Sequence, residues 1–185
     1  STPLSLIEAN KQLEEFFDRE TKINEIDIIK AYTGLGKTNC LVRYTLKKNC
    51  KDLIIAVPDH NLKCEIADRI RSENGNCLVT PELPSSLNQS ELAELHSYYN
   101  RGLYIQAHSF LERLAKSNTA CGRDVKKYLE QIEAIRKTDD AVITTHTMMM
   151  FLNDKIRSTI IIDEDPTEEL LKQENCKINY ISILS

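Results

Sequence analysis

The sequence predicts an α/β domain with a mostly parallel sheet, flanked by helices and interrupted by a helical insertion. Three observations predict it. Near-continuous apolar runs, "EIDIIKA" (25–31), "DLIIAVP" (52–58) and "NCLVT" (76–80), alternate with helix-prone segments, as parallel strands buried on both faces require. The alternation breaks at "PELPSSLNQS" (81–90), and a polar, helix-prone stretch runs to about Lys137. It then resumes with "AVITTH" (141–146) and "STIIIDED" (158–165).

Each element has its own signal. Residues 3–19 form an amphipathic helix, because Leu4, Ile7, Leu13, Phe16 and Phe17 recur at helical spacing with no proline after Pro3. The β-branched run 25–31 is a buried strand, and a short loop (32–36) follows it. "KTNCLVRYTLKK" (37–48) has helical composition. The strand 52–58 ends at Pro58, and "HNLKCEIADRIRS" (60–72) is a helix. Residues 81–137 are the helical insertion, with a break around "SNTACGRD" (117–124). The tail "CKINYISILS" reads as a strand or an interrupted helix. All 185 residues fit one domain, expected to be a piece of a longer protein.

Composition narrows the classes. Apolar residues make up 41% and charged residues 28%, the balance of a soluble globular protein. No apolar run approaches the ~20 residues of a membrane helix. The start lacks the basic flank and apolar core of a secretory signal, so the expected setting is cytoplasmic and away from membranes. Net charge is -4, which removes an overall basic footprint for nucleic acid but leaves room for a local groove. Six cysteines are scattered without the paired spacing of a zinc site, a pattern of reduced structural thiols.

Two short stretches carry chemistry. In "AYTGLGKT" (31–38) two of only five glycines sit in one loop between a predicted strand and a predicted helix. Gly34 and Gly36 allow backbone conformations closed to other residues and a close approach to phosphate. The loop N–H groups of Thr33 to Thr38 and the helix start then face an anion. Lys37 reaches the β- and γ-phosphates, and the Thr38 hydroxyl ligates magnesium. The bland alternative is a plain strand–turn–helix connection with a capping threonine. "TIIIDEDP" (159–166) supplies what such a loop needs. Asp163, at the end of an apolar strand, is placed to hold the magnesium, and Glu164 to orient and activate a water. The bland alternative there is an acidic, solvated loop.

These residues resemble a family. "AYTGLGKT", "IIAVPDHNLKCEI", "VITTH" and "IIIDEDP" are similar to motif I, motif Ia, the Thr/His motif and motif II of superfamily 2 helicases. The chain looks most like the first RecA-like domain of the iron–sulfur DNA repair helicases and of phage- or plasmid-type primase–helicases. The likeness covers about 31–72 and 138–170. It implies a RecA-like P-loop fold and an ATP hydrolase of helicase type. ATP and magnesium would be bound by Thr33, Gly34, Leu35, Gly36, Lys37 and Thr38 with Asp163. Glu164 would be the catalytic base, with Lys37 on the reacting phosphate. Pro58, His60, Asn61, Thr144, Thr145 and His146 would lie toward nucleic acid, single-stranded DNA being expected. A second RecA-like domain would complete the site with an arginine, so this chain alone would bind nucleotide but turn it over slowly. The relatives' four cluster cysteines are missing: the 81–137 segment holds only Cys121, with Cys77 just outside. Asp165 and Pro166 also depart from the usual third and fourth places of motif II.

Other residues have two readings. His146 is a nucleic-acid contact, a link from the acidic strand end to the rest of the site, or a satisfied strand-end histidine. His60 starts a helix or meets phosphate. "HSYYNRGLY" (96–104) packs the insertion or stacks bases. "MMMF" (148–151) reads as core, and Lys126, Lys127, Arg136 and Lys137 as a solvated face. Two other functions compete with the motor. One is a non-hydrolysing nucleotide- or DNA-binding regulatory module, which Glu164 disfavours. The other is a different P-loop ATPase such as a packaging motor, which Pro58 and the "TTH" strand disfavour.

Overall fold

The structure, a computed structural model, describes residues 6–19, 34–149, 152 and 159–164. Among the described residues four strands form one all-parallel sheet: β1 (Leu53–Val57), β2 (Cys77–Val79), β3 (Ala141–Thr145) and β4 (Thr159–Ile162), in the order β2-β3-β1-β4. The helices are α1 (Leu6–Asp18), α2 (Lys37–Lys47), α3 (His60–Ser72), α4 (Gln89–Asn100), α5 (Tyr104–Ala115), α6 (Ala120–Lys137) and α7 (His146–Met149). The α/β class and the parallel sheet flanked by helices are therefore as expected. The strand expected at 25–31, the loop residues 31–33 and the tail beyond Glu164 lie outside the described residues.

Both faces of the sheet are covered, which is why its strands read as continuous apolar runs. One face buries Leu53, Ile55, Val57 and Ile143 beneath Leu41 and Val42 of α2 and Ile66, Ala67 and Ile70 of α3. The other buries Ile54 and Val142 beneath Ile135 of α6 and Leu152. The Asp59 carboxylate caps α3 by accepting from the Leu62 N–H at 2.9 Å, satisfying one of the donors a helix start leaves unpaired. A capping box fixes the start of α4: Asn88 accepts from Glu91 N–H, and the Glu91 carboxylate accepts from Asn88 N–H.

The insertion differs from expectation in its breaks. Residues 101–103 interrupt it as well as 116–119, giving three helices. Gly102 makes the extra turn possible with φ 64°, a conformation open to glycine. The three helices hold their own core of Leu87, Leu95, Ala107, Phe110, Leu111, Val125, Tyr128 and Ile132. The aromatics of 96–104 belong to this packing. Tyr98 packs at a tilt against Phe110 at 6.0 Å and donates to Glu94, and Tyr99 lies against Tyr104 at 6.5 Å. Met148 packs on the same core, and Met149 on the lower face of the sheet.

This core has a pH signature. Burial pushes the Tyr128 phenol up to about 12, and pushes Tyr99 up further. Both stay protonated in the fold after an unfolded chain has begun to release protons near pH 10. The unfolded state then binds fewer protons, so stability falls as pH rises through 10 to 12. Urea denaturation at pH 9 and pH 11.5 should show the loss. Tyr128→Phe should remove about 2 kcal/mol of that loss, less than two full pKa units because the folded phenol is itself partly ionised at pH 11.5. An unchanged pH slope in Tyr128→Phe would mean the phenol is not held neutral.

Candidate functional site

The connection between α2 and β1 fixes where the phosphate-loop residues lie. Only five residues separate the end of α2 from the start of β1, and α2 packs on the sheet through Leu41 and Val42. The helix therefore runs antiparallel to the strand. Its 11 residues span about 16 Å, close to the roughly 16 Å of a five-residue strand. Lys37 and Thr38, at the start of α2, are thereby directed toward the edge where the strands end. Asp163 lies at that edge. Ile162 pairs with Ala56, and Val57 pairs with Thr145, so Val57, Thr145 and Asp163 stand in one row across three strands.

The loop has the backbone that its glycines predict. Gly34 and Gly36 have φ 87° and 78°, and Gly36 is the N-cap of α2 with no side-chain cap on the helix. The helix start presents N–H groups that no described side chain caps, and the positive end of its dipole. A Cβ built on either glycine would meet nothing within 4 Å among the described residues. Glycine is needed there for its dihedrals. Leu35 is buried at the turn, while Gly36, Lys37 and Thr38 are half-buried. Beside the loop is a cleft of about 410 Å³, bounded by Leu35, Gly36, Asn39 and Arg43 and closed by Asn10 and Glu14 of α1. Two ion pairs dock α1 there, Arg43–Glu14 at 2.5 Å and Lys47–Asp18 at 2.6 Å, with Phe17 against Tyr44 at 5.7 Å.

The acidic strand end is tied down on both sides. The Asp163 N–H donates to the Ala56 carbonyl at 2.9 Å, one step past the last strand pair. The Asp163 carbonyl is 2.8 Å from His146 Nε2. Asp163 is half-buried and Glu164 exposed. Glu164 has φ 69°, a left-handed conformation that costs a non-glycine residue roughly 1–2 kcal/mol. Local backbone strain of this kind collects at functional turns.

Against protein-family models, curated proteins and solved structures, the chain finds no match. The candidate site rests on its own geometry.

The residues expected toward nucleic acid divide into two groups. Pro58, His60 and Asn61 are exposed at the C-terminal edge of β1. Thr144, Thr145 and His146 are 0%, 6% and 5% exposed, and their polar atoms are engaged inward. Thr144 Oγ1 accepts from Thr80 Oγ1 at 3.1 Å, and Thr145 Oγ1 accepts from the Met148 N–H at 3.3 Å. Thr33 lies outside the described residues.

The sequence reading missed Lys63. It is 1% exposed, and its ammonium donates to the Thr80 carbonyl at 2.7 Å and to His60 Nδ1 at 2.8 Å. Burial lowers its pKa, and Glu82 opposes that shift. A lysine has only donors, so His60 Nδ1 must accept. This cluster ties the start of α3 to the end of β2. The signal was present in the spacing: Lys63, Ile66, Ala67 and Ile70 form one helical stripe, all four buried, and a lysine within an apolar stripe must find acceptors.

Proposed function

We propose that this domain is the ATP-binding half of a nucleic-acid-dependent ATPase of helicase type, built on a RecA-like fold. One observation carries the reading. A glycine-bearing loop with two positive φ angles opens α2, and β4 of the parallel sheet runs out into Asp163-Glu164. Ligands of open parallel sheets bind beyond the carboxyl ends of the strands.

The donor set fits magnesium. The Thr38 hydroxyl and the Asp163 carboxylate are hard oxygen donors, the kind this ion takes alongside phosphate oxygens and water. Magnesium would supply neutralisation of charge on the transferred phosphoryl group. The remaining steps belong to side chains and backbone. The loop N–H groups and the start of α2 hold the phosphates. Lys37 neutralises the β- and γ-oxygens. The Glu164 carboxylate, exposed at the turn, orients a water for in-line attack and accepts its proton. Single-stranded nucleic acid would follow the exposed edge at Pro58, His60 and Asn61. A second RecA-like domain would close over the nucleotide and contribute the arginine worth about 10³–10⁵ in rate. The exposed Glu164 favours this reading over a non-hydrolysing module.

Titration calorimetry with ATP and magnesium tests it. The wild-type chain should bind, and Lys37→Ala should weaken binding by at least about tenfold, the loss of one charge-assisted hydrogen bond of about 1.5–3 kcal/mol. Equal affinity in the two proteins would overturn the assignment.

A further inference from the structure

We propose that His146 is the positioning residue of the acidic turn. It holds the Asp163–Glu164 peptide in the orientation that presents both carboxylates, and it does not contact nucleic acid. This deepens the function proposed above and rests on it.

The hydrogen bond has a defined direction. A carbonyl only accepts, so the Nε2 that lies 2.8 Å from the Asp163 oxygen carries the hydrogen. His146 follows β3, and Asp163 follows β4. These strands are not neighbours, because β1 lies between them. Two strand spacings amount to about 9.6 Å. The imidazole therefore reaches over the end of β1. A short side chain at this position could not make the span.

What the ring holds is one peptide plane. The Asp163 carbonyl and the Glu164 N–H belong to the same planar unit. The bond sets Asp163 ψ, the rotation of that plane against Asp163. Glu164 then leaves the fixed plane at its strained φ of 69°, and turning the plane about ψ would swing the two carboxylates relative to each other. The Asp163 N–H bond to Ala56 fixes the preceding plane and leaves this one free. His146 supplies the missing constraint. Its own place is set by its 5% exposure and by Thr145, whose hydroxyl caps the turn at Met148. A ring this buried, with its donor turned inward, has no face for a phosphate.

A merely structural histidine and a positioning one predict different results. ATP affinity is measured by calorimetry with magnesium and with a chelator, in the wild type, His146→Phe and His146→Gln. Gln places an amide donor near the Nε2 position, and Phe keeps the ring without a donor. His146→Phe should lose about 10–100-fold of the magnesium-dependent gain in affinity, the usual effect of removing a group that orients a metal ligand. Its metal-free affinity should stay within about twofold of wild type, and Gln should restore most of the gain. Two further measurements need no nucleotide. Amide exchange at Asp163, whose N–H donates to the Ala56 carbonyl, should be at least tenfold faster in His146→Phe and near wild type in His146→Gln. Nitrogen NMR of the wild-type ring should show the hydrogen on Nε2. A retained magnesium gain in Phe, an equal loss of metal-free affinity, no rescue by Gln, unchanged exchange, or the hydrogen on Nδ1 would each overturn the inference. If the wild type binds no nucleotide, the proposed function fails, and the exchange rates and ring tautomer decide the role of His146 on their own.

Discussion

Ile55→Ala should lower stability by about 3–5 kcal/mol, the upper part of the range for emptying a packed site. Ile55 lies in β1 between β3 and β4 and is 0% exposed. Its side chain belongs to the larger core, twelve buried residues among those described, five of them from α2 and α3 covering the sheet. Rigid strands on both sides and two helices above leave the cavity little room to collapse. The neighbouring substitution is an internal control. Ile54 points to the opposite face, where the buried cluster among the described residues has four members and Ile54 itself is 5% exposed. Ile54→Ala should cost about 2–3 kcal/mol, because that thinner cover relaxes more readily. Urea denaturation of the two variants checks the order. Equal losses, or the reverse order, would mean the two faces are packed alike.

Gly122→Ala should destabilise by about 2–3 kcal/mol, opposite in sign to its usual effect. Within a helix, alanine is ordinarily favoured over glycine by nearly 1 kcal/mol. Gly122 is the third residue of α6, and its N–H donates to the capping Thr119 hydroxyl at 3.0 Å. A Cβ there would lie 2.2 Å from the Ser117 carbonyl oxygen and 2.9 Å from that of Leu114. Both obstacles are backbone, one in the last turn of α5 and one in the turn after it, so no rotamer change relieves them, and the α5–α6 turn must open. The cost of forcing an extra methyl into a packed site is typically 1–3 kcal/mol, added to the loss of the cap. Denaturant titration with a helix-sensitive signal measures it. A stability equal to or above wild type would show that the turn yields freely.

The strands were readable because burial leaves a continuous apolar run. "LIIAV" is buried throughout, and "TIII" is half-buried with Ile160 50% exposed, yet both runs stand out in so polar a chain. The phosphate-loop residues 34–38 were readable because glycine, lysine and threonine at that spacing serve one local geometry, and Gly34 and Gly36 do have positive φ. Long-range pairings were not readable. Nothing near His146 says that its ring crosses β1 to Asp163, and nothing near Lys63 names the Thr80 carbonyl as its acceptor. These partners are 17 residues distant in sequence, and only the sheet order brings them together. The docking of α1 was hidden for the same reason: Glu14 and Asp18 are ordinary exposed acids until Arg43 and Lys47 arrive opposite them. Gly102 was passed over because the surrounding segment is helix-prone on both sides of the turn it makes.

The pairing of Ile54 with Val142 also sets an order of events in time. About ninety residues must be looped out before β1 and β3 can meet, and that closure is an entropic cost met before any contact rewards it. Most of the loop is α3 and the three-helix insertion, whose contacts are local and form fast. A chain that has already collapsed α4, α5 and α6 onto their own core closes a much shorter effective loop. The insertion is thereby a folding aid for the sheet into which it is set. Defects at the α5–α6 turn should slow the assembly of β1 against β3, some distance from where the substitution was made.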